Sequence, residues 1–181
     1  DGFEPYALGP LTNSAVAMQY WSLTGDGALA LVTNGVGFYY EGAQGLYMTN
    51  ANLTLNIDEN QGIYSNVWCQ MYIKPTGYED DGGDSAPSVA ANAAAALYVS
   101  TTGVLRAYVY NGTSNTWTNL LMNVSTSQWI GISMHMDYSG RKWDVYYTTN
   151  GYGTAMVRAN AVALGIQTNA NSVTEIGEVV V

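Results

Sequence analysis

The feature that most restricts the fold of this chain is a two-residue alternation of apolar side chains with polar or aromatic ones. It occurs in VWCQMYIK (67–74), GVLRAYVY (103–110), WIGISMHMD (129–137) and KWDVYYT (142–148). Consecutive side chains of a strand point to opposite faces, whereas a helix repeats every 3.6 residues, so a period of two indicates strands. Clusters of Gly, Asn, Asp and Ser separate the runs, which is typical of an antiparallel sandwich or barrel. We therefore expect an all-β fold.

The last two runs are joined by DYSGRK (137–142), which contains the turn signal Ser-Gly. Residues 129–148 are therefore predicted to form a hairpin. His135, the single histidine of the chain, and Asp137 lie two residues apart and share one side of the first strand. The opposite side of that strand carries Ile130, Ile132 and Met134.

One segment is ambiguous. APSVAANAAAALYVS (86–100) is rich in Ala and offers Ser88 as a helix N-cap, so propensity alone favours a helix. Leu97 and Val99, however, alternate with Tyr98 and Ser100. We therefore predict a loop followed by a strand from Ala94 to Ser100.

Composition restricts the class of protein further. A length of 181 residues is that of one ordinary domain, and no linker or internal repeat divides it, so we predict a single domain over residues 1–181. Charged residues make up 10%, against about 25% in an average protein, and Asn, Thr, Ser and Tyr supply the polarity instead. Fifteen Tyr and five Trp against two Phe favour rings with a polar edge, which suit a half-wet surface.

The net charge of −9 and the lack of a long apolar run exclude two roles, nucleic-acid binding and membrane spanning. No cluster of Lys or Arg is present to neutralise phosphates, so we expect no nucleic-acid partner. No apolar run approaches the roughly 18 residues of a membrane span. The low charge fits an exported protein, which predicts an extracellular or cell-surface location.

Cys69 is the single cysteine and cannot form an internal disulfide, so we expect an inert, buried thiol.

Four stretches, in order, carry a resemblance to a known family: DGFEPYALGPL at the start, VWCQMYIKP, WIGISMHMDYSGRKWDVY and SVTEIGEVVV at the end. They resemble the opening, a central strand, the late hairpin and the closing strand of the concanavalin A-like (laminin G-like) lectin/glucanase jelly-roll domain of bacterial secreted proteins. The resemblance spans nearly the whole chain. It implies an antiparallel two-sheet jelly-roll sandwich of curved sheets, with the first and last strands adjacent.

The same superfamily contains laminarinase-type glycoside hydrolases, which carry Glu-x-Asp-x-x-Glu on one strand with alternate carboxylates in a cleft. Glu175 and Glu178 are three residues apart and would point to opposite faces of a strand. Asp58 and Glu59 are adjacent and also diverge. The hydrolase signature is therefore absent from this sequence.

A catalytic pair of His135 and Asp137 is the other enzymatic alternative. Such a pair needs a nucleophile, but no GxSxG motif is present. Cys69 is expected on the core side of its strand, away from His135. The interpretation that His135 and Asp137 are polar residues of a hairpin is therefore favoured. We expect the chain not to be an enzyme.

The loop GYEDDGGDS (77–85) suggests a cation site. Its carboxylates surround two glycines, and several such oxygens are what Ca²⁺ requires. The spacing does not match an EF-hand, and a solvated loop held open by like charges has the same composition. The residues of this candidate Ca²⁺ site are Glu79, Asp80, Asp81 and Asp84.

The sides of the strands that are not aliphatic form the candidate binding surface. Flat aromatic rings stack on the apolar faces of sugars, while amide, carboxylate, guanidinium and hydroxyl groups bond to sugar hydroxyls, so a polysaccharide or other glycan is the expected ligand. The predicted ligand-binding residues are Trp68, Gln70, Tyr72, Tyr98, Arg106, Tyr108, Tyr110, His135, Asp137 and Tyr146.

Two other interpretations of these rings remain open. Aromatic residues are frequent on strands by propensity, and cross-strand pairs of rings stabilise a sheet. Exposed aromatic patches also mark protein–protein contacts, so the chain could instead be a structural subunit that binds copies of itself in an extracellular filament, sheath or surface layer.

Overall fold

The computed structural model describes residue 3 and residues 5–25, 29–34, 44–49, 52–56, 65–75, 87–149, 154–167 and 178–180. Over these residues the chain is almost entirely β, with two single-turn 3₁₀ helices, Leu11–Asn13 and Ala17–Gln19. The strands are β1 (Gly9–Pro10), β2 (Trp21–Thr24), β3 (Leu29–Thr33), β4 (Gly45–Thr49), β5 (Asn52–Asn56), β6 (Asn66–Ile73), β7 (Ala96–Val99), β8 (Val104–Tyr110), β9 (Asn115–Asn123), β10 (Ile130–Asp137), β11 (Lys142–Thr148), β12 (Val157–Arg158), β13 (Leu164–Gly165) and β14 (Glu178–Val180).

Every pair of neighbouring strands among the described residues is antiparallel. The predicted all-β, antiparallel class is therefore confirmed. Within the same residues, no helix has the length and apolar character needed to cross a membrane. The chain divides into two compact units, one made of Asp1–Gly62 and Ile176–Val181, the other of Ile63–Glu175.

The first unit holds two three-stranded sheets, in the orders β1-β3-β4 and β14-β5-β2. Its core is built on alternating strand residues and on the two 3₁₀ helices, and includes Leu11, Ala17, Trp21, Val32 and Leu53. The last described strand, β14, pairs with β5, while β1 pairs with β3. The family resemblance implied that the first and last strands are adjacent. Among the described strands, the neighbour of the closing strand is β5 instead.

The second unit holds the sheet β12-β11-β10-β6, with β13 also paired to β11, and the sheet β7-β8-β9. The four alternating runs of the sequence are all strands here, with ends within one residue of those predicted. Alternation sets their burial: Leu105, Ala107 and Val109 are buried while their neighbours on β8 are half-buried. Trp143 and Val145 are fully buried on β11. Each large apolar side chain so buried stabilises the fold by roughly 1.5–3 kcal/mol before other terms.

The predicted hairpin is formed by β10 and β11, with Asp137 opposite Lys142 across a four-residue turn. The Gly140 N–H and the Ser139 hydroxyl donate hydrogen bonds of 2.7 and 2.8 Å to Asp137 Oδ1. Arg141 closes the turn with a φ of 54°, in the left-handed region. Asp137 therefore holds together the turn that its own strand leads into.

The Ala-rich segment contains no helix within its described residues, and β7 begins at Ala96. The prediction of a loop followed by a strand is confirmed, with the strand shorter than expected at both ends. Gln167 is buried, and its Nε2 donates to the carbonyl oxygens of Ala90, at 2.9 Å, and Ala93. Two tertiary hydrogen bonds thus hold the alanines in a loop despite their helix propensity.

The two sheets of the second unit meet at β13. Leu164 pairs with Trp143 of β11, and Gly165 lies so close to the carbonyl oxygen of Tyr110 that a Cβ would overlap it. Glycine is required there because the backbone of β13 touches the backbone at the end of β8.

Candidate functional site

The outer surface of β6, β10 and β11, opposite the buried Ile130, Ile132, Trp143 and Val145, is the candidate site, and we call it the Trp68 face. Strand register arranges its side chains in rows that run across the strands. One row is Trp68, His135 and Asp144, and the next is Gln70, Ser133 and Tyr146. The Trp68 face consists of Asn66, Trp68, Gln70, Tyr72, Ser133, His135, Asp137, Asp144 and Tyr146.

Trp68 is the centre of this face. Its side chain is 60% exposed, which is unusual for a residue of this size. The indole stacks on the imidazole of His135, with centroids 4.4 Å apart and planes inclined by 21°. The ring of Tyr146 lies 5.5 Å from it in a tilted arrangement. Trp68 is thus supported on two sides and remains open to solvent.

Amide groups flank the exposed indole along β6. His135 Nε2 lies 3.3 Å from Asn66 Oδ1, so the Nε2–H tautomer donates a hydrogen bond there. The Gln70 amide donates to the Tyr72 hydroxyl at 3.1 Å. Both Asn66 and Gln70 are exposed, and each keeps further donor and acceptor capacity for a ligand.

An ion pair lies at the β11 side of the face. Arg158, on β12, donates through Nη2 to Asp144 Oδ1, and Asn160 Nδ2 donates to the same oxygen at 3.0 Å. Asn160 is buried. Its Oδ1 accepts the Val145 N–H at 2.9 Å, and its Nδ2 also donates to the Val162 carbonyl at 2.6 Å. Asn160 therefore fixes the position of the Asp144–Arg158 pair.

The rows at the two ends of the Trp68 face are occupied by contacts within the protein. At one end, Asp137 bonds to its own turn and lies 3.8 Å from the Lys142 ammonium. The hydrogen bond from the Gly140 N–H, and then that from Ser139, lower the pKa of Asp137 below its usual value. At the other end, the Tyr72 ring covers Gly131, where an added Cβ would lie 2.8 Å from Tyr72 Cε1.

The ten predicted ligand residues do not form one surface. Trp68, Gln70, Tyr72, His135, Asp137 and Tyr146 all belong to the Trp68 face. The other four, Tyr98, Arg106, Tyr108 and Tyr110, lie on the separate sheet β7-β8-β9.

Two of those four, Tyr98 and Tyr108, contact Trp117, which the sequence interpretation did not include, and Arg106 contacts Tyr98. The Trp117 ring lies 4.5 Å from Tyr98, edge to face, and 5.0 Å from Tyr108. Arg106 Nη1 donates to the Tyr98 hydroxyl at 2.9 Å. Tyr98, Arg106, Tyr108 and Trp117 are all half-buried, and both tyrosine rings pack against the Trp117 ring. Tyr110 instead donates to the Gly112 carbonyl in the β8–β9 turn, at 2.9 Å.

Asn66, Asp144 and Arg158 were also missed as site residues. Asp144 has the same parity as Tyr146, so alternation along KWDVYYT would have included it. Trp117 alternates with Thr116 and Thr118 in the same way. Arg158 lies on a strand of two residues, which is too short to show any period.

Cys69 lies on the opposite side of β6 from Trp68 and is half-buried rather than fully buried. Burial raises the pKa of its thiol, which disfavours the reactive thiolate. Burial also raises the pKa of Tyr138, and the nearby Cys69 adds to this effect. These groups belong to the interior side of the sheet, away from His135.

The four carboxylates of the acidic loop, Glu79, Asp80, Asp81 and Asp84, lie outside the described residues. The part of the chain that the structure describes holds no cluster of three or more His, Cys, Asp and Glu side chains suited to a metal ion. The calcium interpretation of the loop therefore stays a prediction.

Comparison with known proteins does not supply a function: no family model, no curated protein and no solved structure matches this chain. Function is therefore argued from the geometry of the Trp68 face.

Proposed function

We propose that this chain is a non-catalytic, exported carbohydrate-binding domain, which binds a polysaccharide or other glycan through the Trp68 face. A concanavalin A-like jelly-roll is the scaffold proposed for it, on the strength of the sequence resemblance and the antiparallel all-β structure. The observation that carries the proposal is the indole of Trp68, exposed on a sheet and stacked on His135 between two amide side chains.

The chemistry of this arrangement suits a sugar ring. A pyranose presents an apolar C–H face and an edge of hydroxyls, and an exposed indole covers the first while amides and hydroxyls bond to the second. Stacking on His135 and contact with Tyr146 limit the rotamers of Trp68 before a ligand arrives. A pre-organised side chain loses less entropy on binding, which favours affinity.

The state of the carboxylates supports a non-catalytic role. A glycoside hydrolase needs a carboxylic acid with a raised pKa and a second free carboxylate across the scissile bond. On the Trp68 face, hydrogen bonds lower the pKa of Asp137, and Asp144 is engaged by Arg158 and Asn160. Neither residue has the environment of a general acid.

A glycan array followed by polysaccharide pull-down tests the proposal. We expect the wild-type chain to bind at least one glycan and Trp68→Ala to lose that binding by tenfold or more. Tyr108→Ala, on the other sheet, is the matched aromatic control and is expected to bind as wild type does. A blank array, or equal binding by Trp68→Ala, would contradict the proposal.

A second candidate function, a self-assembling extracellular subunit, is favoured by the distribution of charge. Of the fourteen acidic residues, seven belong to the first unit, which has no Lys or Arg, and all five basic residues belong to the second. The acidic residues of the first unit are Asp1, Glu4, Asp26, Glu41, Asp58, Glu59 and Glu178, and the basic residues of the second are Lys74, Arg106, Arg141, Lys142 and Arg158. The second unit also holds seven acidic residues and is −2 overall, so attraction between copies would join the acidic first unit of one copy to the individual basic side chains of the second unit of another.

Sedimentation and negative-stain microscopy test this alternative. Assembly through these charges predicts polymers at low salt that dissociate at high salt, because screening weakens exposed ion pairs. Monomers at every salt and protein concentration would rule it out.

A further inference from the structure

We infer that the binding site on the Trp68 face extends across the strands to Asp144 and Arg158, and that its ligand is a neutral oligosaccharide segment with vicinal hydroxyls rather than a single or an acidic sugar. This inference rests on the proposed function and specifies the ligand of the same site.

The length of the site follows from strand register. Trp68, His135 and Asp144 are direct partners on three neighbouring strands. Adjacent strands lie about 4.8 Å apart, so Asp144 is displaced from Trp68 by about 10 Å across the sheet. Arg158, on β12, is the register partner of Tyr146 in the neighbouring row, and its guanidinium reaches across to Asp144. One sugar ring stacked on Trp68 does not reach this pair, but a linked segment does.

The direction of the site follows from what occupies the neighbouring rows. Along the strands, the carboxylate of Asp137 is engaged by its own turn, and Tyr72 lies over Gly131 next to the Met156 methyl. Across the strands, the half-buried His135 forms a floor between the exposed Trp68 and the ion pair. A ligand therefore lies perpendicular to β6, β10 and β11.

Asp144 and Arg158 together suit a vicinal diol. The described hydrogen bonds of the carboxylate use Oδ1, whereas a carboxylate has about four acceptor positions. A guanidinium has five N–H donors, and the Arg158 side chain is 38% exposed. An acceptor and a donor side by side match the donor and acceptor of two adjacent hydroxyls. Asn160 fixes the pair in place before binding.

The charge of the pair favours a neutral ligand. Arg158 is neutralised by Asp144, and Lys142 lies beside Asp137, so the acids and bases of this region occur in pairs. A carboxylated or sulfated sugar at this end would place its anion beside Asp144, and the chain as a whole carries a charge of −9.

Titration calorimetry with defined oligosaccharides tests the inference. The probes are β-1,3- and β-1,4-linked glucose and β-1,4-linked xylose oligomers of two to five units, with galacturonic acid oligomers as the acidic counterpart. We expect a neutral series to gain at least tenfold in affinity with length, and to change less than twofold between low and high salt. The acidic series is expected to bind at least tenfold more weakly.

The variants separate the two parts of the site. Asp144→Asn and Arg158→Gln are expected to remove the gain with length while leaving the affinity for the shortest bound oligomer within twofold. Arg158→Lys is expected to resemble Arg158→Gln, because an ammonium lacks the planar fork of donors. Circular dichroism and thermal unfolding confirm that each variant is folded, and Trp68→Ala should lose the whole series.

Affinity that is independent of length, wild-type binding by both Asp144→Asn and Arg158→Gln, no binding of any neutral oligomer, or preference for the acidic oligomers would each overturn the inference. The proposed function survives these outcomes if some glycan on the array still binds in a Trp68-dependent manner. It fails separately if the array is blank.

Discussion

The imidazole of His135 stacks on the indole of Trp68, with the ring centroids 4.4 Å apart, and this contact joins the central strand of a sheet to its most exposed aromatic side chain. Because the two residues are direct partners on β10 and β6, the stack is set by strand register. His135 is thus interpreted as a support for the binding surface rather than as a catalytic base.

Removal of this support should weaken binding without unfolding the protein. A ring pair contributes about 0.5–1.5 kcal/mol beyond the area that it buries, so we expect His135→Ala to weaken glycan binding about two- to tenfold. His135→Phe keeps a stacking ring and should bind as wild type does. Calorimetry measures the affinities, and tryptophan fluorescence reports the environment of Trp68. Equal losses in both variants would mean that the imidazole nitrogens bond to the ligand and that stacking is not the main role of His135.

Asn160 should be important for stability, because its buried amide bonds to two backbone groups and to Asp144. Asn160→Ala leaves the Val145 N–H and Val162 carbonyl without this partner and removes one donor from Asp144. The buried Val145 N–H left without a partner costs about 1–3 kcal/mol, whereas Val162 is exposed and its carbonyl can bond to water, so we expect a loss of roughly 1–3 kcal/mol in the free energy of unfolding, measured with urea. The exposed Asn119 on β9 is the matched control, and Asn119→Ala should change stability by about 0.5 kcal/mol or less.

Two glycines should differ in their tolerance of a methyl group. Gly165→Ala forces a Cβ onto the backbone carbonyl of Tyr110, which cannot move independently, and should cost about 3 kcal/mol or more. Gly131→Ala meets side-chain atoms of Tyr72, Thr148 and Met156 at 2.8–3.2 Å, which can shift, and should cost about 1–3 kcal/mol. Thermal unfolding of both variants checks the order; the reverse order would contradict the contact between β13 and β8.

The turn at Asp137 predicts a pH dependence of stability. Hydrogen bonds from Gly140 and Ser139 lower the folded-state pKa of Asp137, so ionisation favours the folded state. This contribution is fully present above the unfolded pKa of about 3.9 and is lost as the pH falls through the lower folded value. The stability difference between wild type and Asp137→Asn should therefore shrink from about pH 5 towards pH 2. Ser139→Ala should give a smaller effect in the same direction, and a difference that does not change with pH would refute this account.

Alternation allowed four strands of the second unit, β6, β8, β10 and β11, to be predicted closely, because burial of one face enforces a period of two on them. It also assigned Trp68, His135 and Tyr146 to a polar face correctly. Periodicity says nothing, however, about which strands are neighbours. The residues predicted as one surface are divided between two sheets because β8 pairs with β7 and β9, not with β10.

Several residues that the sequence could not identify lie on short or irregular elements. β12 and β13 have two residues each, so neither Arg158 nor Gly165 could be recognised from a pattern. Asn160 acts from a segment after β12, through hydrogen bonds to β11 that depend on the tertiary fold. Such contacts are specified by the packed structure and leave no local periodic signal.

The buried amide of Gln167 that secures the Ala-rich segment has a consequence for biosynthesis. Gln167 and Ala90 are 77 positions apart, so this hydrogen bond cannot form until the ribosome has released the chain as far as Gln167. Until then the alanines are free to coil into a transient helix, as their propensity favours. Maturation of this region is therefore expected to be a late event, dominated by a long-range closure rather than by its own local order.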